Sequence, residues 1–123
     1  MVIFAEQANT MIKIYHNTRC RKSREGLALL EEAKQEFEVV HYLEHPPTPE
    51  ELRALLQKLG IRPKQLIRKN EAIWKEQFKG KELSDDALIT AMSQFPKLIE
   101  RPIVVKGDKA VIARPASTIL EIL

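Results

Sequence analysis

A chain of 123 residues, 44% hydrophobic and 30% charged, has the size and balance of a single soluble globular domain, and it contains no apolar run long enough to span a membrane. The net charge of +3 is mild and aromatics are few (4 Phe, 2 Tyr, 1 Trp), which argues against a nucleic-acid stripe with stacking platforms and for a local anion site. The single cysteine cannot form an internal disulfide, so the expected setting is reducing and cytoplasmic.

Residues 1–10 start apolar but carry Glu6, and they are too short for a secretory signal. They read as a flexible extension ahead of one domain over residues 11–123. Residues 12–15 (IKIY) alternate with a β-branched bias and predict a strand. After a polar loop, Leu27, Leu29, Leu30 and Ala33 recur at helical spacing from Ser23 to about Gln35. Residues 37–43 return to strand character. A strand, a helix and a strand in succession favour a parallel pair.

Thr48, Pro49 and Glu51 form a helix-start signal, and Gly60 is the matching stop. Pro63 opens a short helix through Arg68. Ser84 caps another, with Asp85 and Asp86 in the first turn. Residues 101–105 predict a buried strand, 106–109 a hairpin turn and 110–113 its partner. A last helix follows Pro115. The order is β-α-β, an all-helical insert at about 48–96, then β-β-α. This is an α/β chain of thioredoxin-like architecture, with βαβ and ββα halves sharing one mixed sheet.

Cys20 lies between the first strand and the first helix, where unpaired N–H groups and partial positive charge favour a thiolate. Arg19, Arg21, Lys22 and Arg24 surround it. Ser23 could donate its hydroxyl to the thiolate or to a bound oxyanion. His16 could polarise the loop, exchange a proton, or only bond backbone. With Ser23 where a dithiol motif has its second cysteine, turnover needs an external thiol. Arg101 and Arg114 each precede a proline, which sets both in extended backbone near strand ends. His41 and His45 lack partners at metal-ligand spacing, so no metal is expected, and Trp74, Phe78 and Phe95 read as packing of the insert.

The run His16-Asn17-Thr18-Arg19-Cys20-Arg21-Lys22-Ser23-Arg24 resembles the ArsC family of glutaredoxin-coupled arsenate reductases, and within it the YfgD-like branch. Residues 66–70, 98–105 and 112–115 resemble further segments of that family, in family order. The resemblance implies a catalytic Cys20 with His16 and Ser23, and an oxyanion held by Arg68, Arg101 and Arg114. Asn17, Arg24 and Pro102 are implied as supporting residues, with Pro102 as a cis-proline beside the cysteine. No bound cofactor is implied. Glutathione and glutaredoxin, or an equivalent thiol donor, are the implied co-substrates and partners. Thr18 stands where the family commonly has Pro, and Arg21 where a small residue is usual, which widens the substrate expectation to other oxyanions or oxidised thiols. Two other readings use the same chain: a monothiol disulfide oxidoreductase or deglutathionylase, and an Spx-like regulator that binds RNA polymerase. The regulator generally carries a Cys-x-x-Cys switch, which Ser23 breaks here.

Overall fold

The computed structural model describes residues 11–123. The extension of residues 1–10 lies outside the described residues. The chain divides into two compact units. One joins the residues up to His41 with Arg101–Leu123, and the other is Tyr42–Glu100.

The first unit holds β1 (Ile12–Tyr15), α1 (Arg21–Glu32), β2 (Phe37–Val40), β3 (Ile103–Lys106), β4 (Lys109–Ile112) and a 3-10 segment, Ala116–Glu121. Sheet order is β2-β1-β3-β4, with β1 parallel to β2 and the other pairs antiparallel. The parallel pair follows from the helical crossover through α1, and the tight β3–β4 hairpin turns at Gly107, whose φ of 62° suits glycine. Alternation in β1 buries Ile12 and Ile14 and exposes Lys13. Those two isoleucines join Leu30, Val104, Ala113 and Ile119 in the core. This is the thioredoxin-like sheet that the element order predicts.

The register decides what shares an end of the sheet. Tyr15 pairs with Val40 and with Ile103, and Ile103 pairs with Ile112. The loop leaving β1, the entry to β3 and the exit from β4 therefore meet at one edge. Beyond the ladder, the Ala113 N–H donates to the Pro102 carbonyl at 2.9 Å. Arg101 and Arg114 stand just beyond that last bond, where the Arg114 N–H turns back to the Ile112 carbonyl at 2.9 Å. The peptide bonds from each of these arginines to its proline, Arg101–Pro102 and Arg114–Pro115, are cis. The first agrees with the cis-proline implied for Pro102.

The second unit holds α2 (Pro49–Leu59), α3 (Pro63–Leu66), α4 (Ala72–Gln77), α5 (Asp85–Gln94) and a 3-10 turn at Pro96–Leu98. Thr48 and Glu51 form a reciprocal capping box at the start of α2, and Gly60 ends it at φ 68°. Ser84 caps α5. Leu52, Leu55 and Leu56 of α2 are buried, as are Leu88, Ile89 and Met92 of α5. Thr48→Ala removes one half of the box and is expected to cost about 1 kcal/mol. A chemical-denaturation midpoint equal to wild type would show that the cap contributes nothing.

Four boundaries differ from the sequence expectation. β2 stops at Val40, not at residue 43, and Tyr42 is buried in the second unit. α1 begins at Arg21 and ends at Glu32. The helix expected through Arg68 stops at Leu66, because Ile67 bridges Ile99 and the Arg68 N–H bonds the Leu98 carbonyl at 2.7 Å. The final segment, Ala116–Glu121, is a 3-10 helix and not an α-helix. The sequence expectation missed α4, whose N-cap Glu71 makes no side-chain cap bond.

Candidate active site

Cys20 is the N-cap of α1, and it is 8% exposed. This helix start departs from ordinary capping chemistry. A thiol replaces the usual Ser, Thr, Asp or Asn, and no acid occupies the first turn. Arg21 and Lys22 stand there instead, each paired with Glu25 at 3.4 and 3.7 Å. The open end of the helix is left to the sulfur.

The loop before Cys20 is held by its own side chains. The Asn17 carboxamide oxygen accepts from the Arg19 N–H at 3.0 Å, and the Asn17 carbonyl accepts from the Cys20 N–H at 3.0 Å. Arg24 Nη1 donates to the Thr18 carbonyl at 3.0 Å. Asn17 and Arg24 therefore act on loop geometry. Such hydrogen bonds fix where the sulfur sits relative to the helix end.

Arg101 Nε donates to Cys20 Sγ at 3.2 Å. Burial pushes the thiol pKa up, but the opposing effects are larger together, and the thiol is held below its ordinary value. The opposing effects are the Ser23 N–H, the Arg101 charge and its hydrogen bond, and the Lys22 N–H. Two successive N–H groups at a helix start plus one guanidinium form a compact site for negative charge.

The Ser23 side chain takes a place other than the one expected of it, and His16 is its partner. Ser23 is fully buried, and its Oγ lies 2.7 Å from His16 Nδ1 while accepting from the Asn17 N–H at 2.9 Å. The expected donation from the Ser23 hydroxyl to the thiolate is corrected: the hydroxyl is committed to the loop, and Ser23 acts on sulfur through its backbone N–H. His16 is 5% exposed. Burial lowers its pKa, the charges of His41 and Arg24 lower it further, and an interaction with the Ser23 backbone works against them. A neutral imidazole accepting the Ser23 proton at Nδ1 satisfies all three groups.

A histidine with a depressed folded pKa protonates in the unfolded chain first. Stability is then expected to fall as pH drops from about 6.5 towards the folded pKa, and to level off below it. Replacing His16 with Asn should flatten that acid limb in denaturation midpoints taken across pH. An unchanged limb would assign the acid sensitivity to other groups.

The three implied anion-binding arginines differ in setting. Arg101 is on the sulfur. Arg114 is exposed where the chain leaves β4, at the sheet edge that β1 and β3 share. Arg68 belongs to the second unit, where its side chain is 16% exposed, with Nη1 3.4 Å from Glu71 and Nε 3.8 Å from Glu100. Among the described residues, no group of His, Cys, Asp or Glu is placed to hold a metal ion, and no helix is long and apolar enough to cross a membrane.

One supporting residue was missed in the sequence. Gly26 lies inside α1, and a Cβ there would stand 3.0 Å from Pro102 Cγ. Glycine in a helix interior costs about 1 kcal/mol relative to alanine, so its presence there was a readable sign of close approach.

Comparison with known proteins gives a consistent result. The ArsC family matches residues 15–122. The protein YfgD of Escherichia coli is 51% identical over 114 residues, covering 91% of this chain and 96% of the relative. An arsenate reductase of Neisseria meningitidis serogroup A is 42% identical, covering 91% and 97%. Among solved structures, an arsenate reductase from Vibrio cholerae superposes with a TM-score of 0.89 at 48% identity, covering 93% of this chain and 98% of that one.

Proposed function

Because the chain belongs to the ArsC family, we propose that it is an oxidoreductase that reduces arsenate or a closely similar oxyanion, with Cys20 as its nucleophile. The observation that carries this reading is the Arg101 Nε bond to Cys20 Sγ at a helix N-cap. A thiolate held there is ready to attack, and the same positive environment suits a tetrahedral oxyanion.

The Cys20 thiolate attacks arsenic(V), an S–As bond forms, and one As–O bond breaks with the oxygen leaving as water after protonation. The thiolate of a glutathione-class thiol then attacks Cys20 Sγ. An S–S bond forms, and the S–As electron pair stays on arsenic, which leaves as arsenic(III). A glutaredoxin-class dithiol protein reduces the mixed disulfide and returns Cys20 as thiolate. The external thiols are needed because the sequence holds one cysteine.

Arg101 fits two steps, stabilising first the attacking thiolate and then Cys20 as leaving group. Arg114 follows the exit from β4 at the same end of the sheet, and arginine suits an anion contact because its planar fork can hold two oxygens. Arg68 enters this reading through family likeness, and its pairs with Glu71 and Glu100 would have to be exchanged for an anion contact. The reducing cytoplasm is the matching compartment for such thiol exchange.

The test is NADPH oxidation coupled to glutathione and glutaredoxin, with arsenate added last. The expected result is arsenate-dependent oxidation that requires both thiols. Absence of that signal, with Cys20 still alkylated rapidly, would remove the oxyanion and leave an oxidised protein or peptide thiol as substrate.

A further inference from the structure

The second unit carries a feature that the proposed reaction does not use. Lys69, Asn70, Trp74, Lys75, Lys79 and Lys81 are the main lining of an open groove of about 620 Å³. All four lysines are exposed, and the ion pairs among the described residues do not involve them. No carboxylate lines the groove. Glu71, the acid nearest in sequence to Asn70, is turned to Arg68.

Trp74 is the one aromatic residue in the lining, and it is packed from behind. Trp74 stacks on Phe78 at 5.6 Å between ring centroids, and Phe78 meets Phe95 edge-on at 6.0 Å. Lys69 Nζ stands 5.8 Å from the Trp74 centroid. Four like charges around one groove repel each other, and a ligand rich in negative charge relieves that repulsion.

We propose that this groove docks an acidic polypeptide segment, a run of Asp and Glu side chains on a partner protein. Charge complementarity favours an anionic partner. Two observations favour carboxylates over nucleic acid. Trp74 is 8% exposed, so its ring offers no free face for base stacking, and no arginine fork lines the groove to grip phosphate. Lysines are compact, mobile point charges that suit carboxylates spread along a flexible chain. The surface does not depend on the reductase reading, since its binding is read without turnover.

Trp74 is the one tryptophan of the sequence, so its emission reports on the groove directly. The full chain is titrated with a synthetic peptide of alternating Glu and Ala. A saturable change in Trp74 emission is expected, weakened by added salt. The double variant Lys75→Gln/Lys79→Gln should weaken binding about tenfold, the scale of two lost charge pairs. Lys58→Gln/Lys109→Gln, which removes the same charge from exposed positions outside the groove, should bind as wild type does. The proposal is overturned by no saturable change, by equal weakening in both double variants, or by tighter binding of a single-stranded oligonucleotide of matched charge.

Discussion

Cys20→Ser is expected to abolish thiol-dependent arsenate turnover, and Arg101→Gln to reduce it by about a hundredfold, or ~2.7 kcal/mol of barrier. The second figure rests on what Arg101 does at 3.2 Å. It supplies both a charge and a directed Nε hydrogen bond that favour the thiolate against the effect of burial. With glutamine there, the N–H groups of Ser23 and Lys22 remain, so some thiolate character survives. Arg101→Lys should fall between wild type and Arg101→Gln, keeping a charge and losing the guanidinium geometry.

Alkylation by iodoacetamide across pH reads the same interaction without any substrate. One cysteine in the sequence makes the signal unambiguous. In wild type the inflection should lie below that of an ordinary thiol, and Arg101→Gln should move it upward. An inflection unmoved by Arg101→Gln would detach Arg101 from the thiol. The linked stability has a definite sign. A depressed folded pKa means that the thiolate interaction stabilises the fold fully above the unfolded thiol pKa and is lost as pH falls through the folded one. Wild type and Arg101→Gln should therefore differ in stability most on the alkaline side.

What the sequence could tell depended on how local the controlling physics is. The capping box at Thr48, the stop at Gly60 and the hairpin at Gly107 are contained within a few residues, and each was readable. That Cys20 stands near the start of the helix was readable, although the helix begins at Arg21 and not at Ser23 as expected. Its capping thiol and basic first turn contradict what a helix prefers, and such contradictions mark sites. The end of the Pro63 helix was not readable, because a bridge to Ile99, far along the chain, decides it. Nor was the Ser23 hydroxyl. Its spacing from Cys20 suggested the sulfur, whereas the fold presents it to His16 and the Asn17 N–H. The Arg101 contact spans 81 residues of sequence, and the local pattern reached no further than a strand end before a proline. The resemblance implied a functional role for Arg101, and the β1–β3 register explains how the chain returns it beside the loop that carries Cys20.

Gly26→Val is expected to destabilise the protein by about 3 kcal/mol and to lower the Tm by on the order of 10 °C. The reason is the packing of α1 against the entry to β3. A Cβ at position 26 would stand 3.0 Å from Pro102 Cγ, 3.6 Å from Ile14 Cδ1 and 3.7 Å from Ile119 Cδ1. Alanine adds only that Cβ, and its gain in helix propensity, about 1 kcal/mol, offsets part of the crowding. Valine adds two further carbons beside Ile14 and Ile119, both fully or almost fully buried in the core. Because Pro102 directly follows Arg101, relief of the clash displaces the backbone that carries the guanidinium. The folded fraction of Gly26→Val should then show a higher alkylation inflection for Cys20, while Gly26→Ala stays close to wild type in both measurements. A valine variant with wild-type Tm and inflection would mean that α1 and the Pro102 segment can separate freely, and that the sulfur–guanidinium distance is set elsewhere.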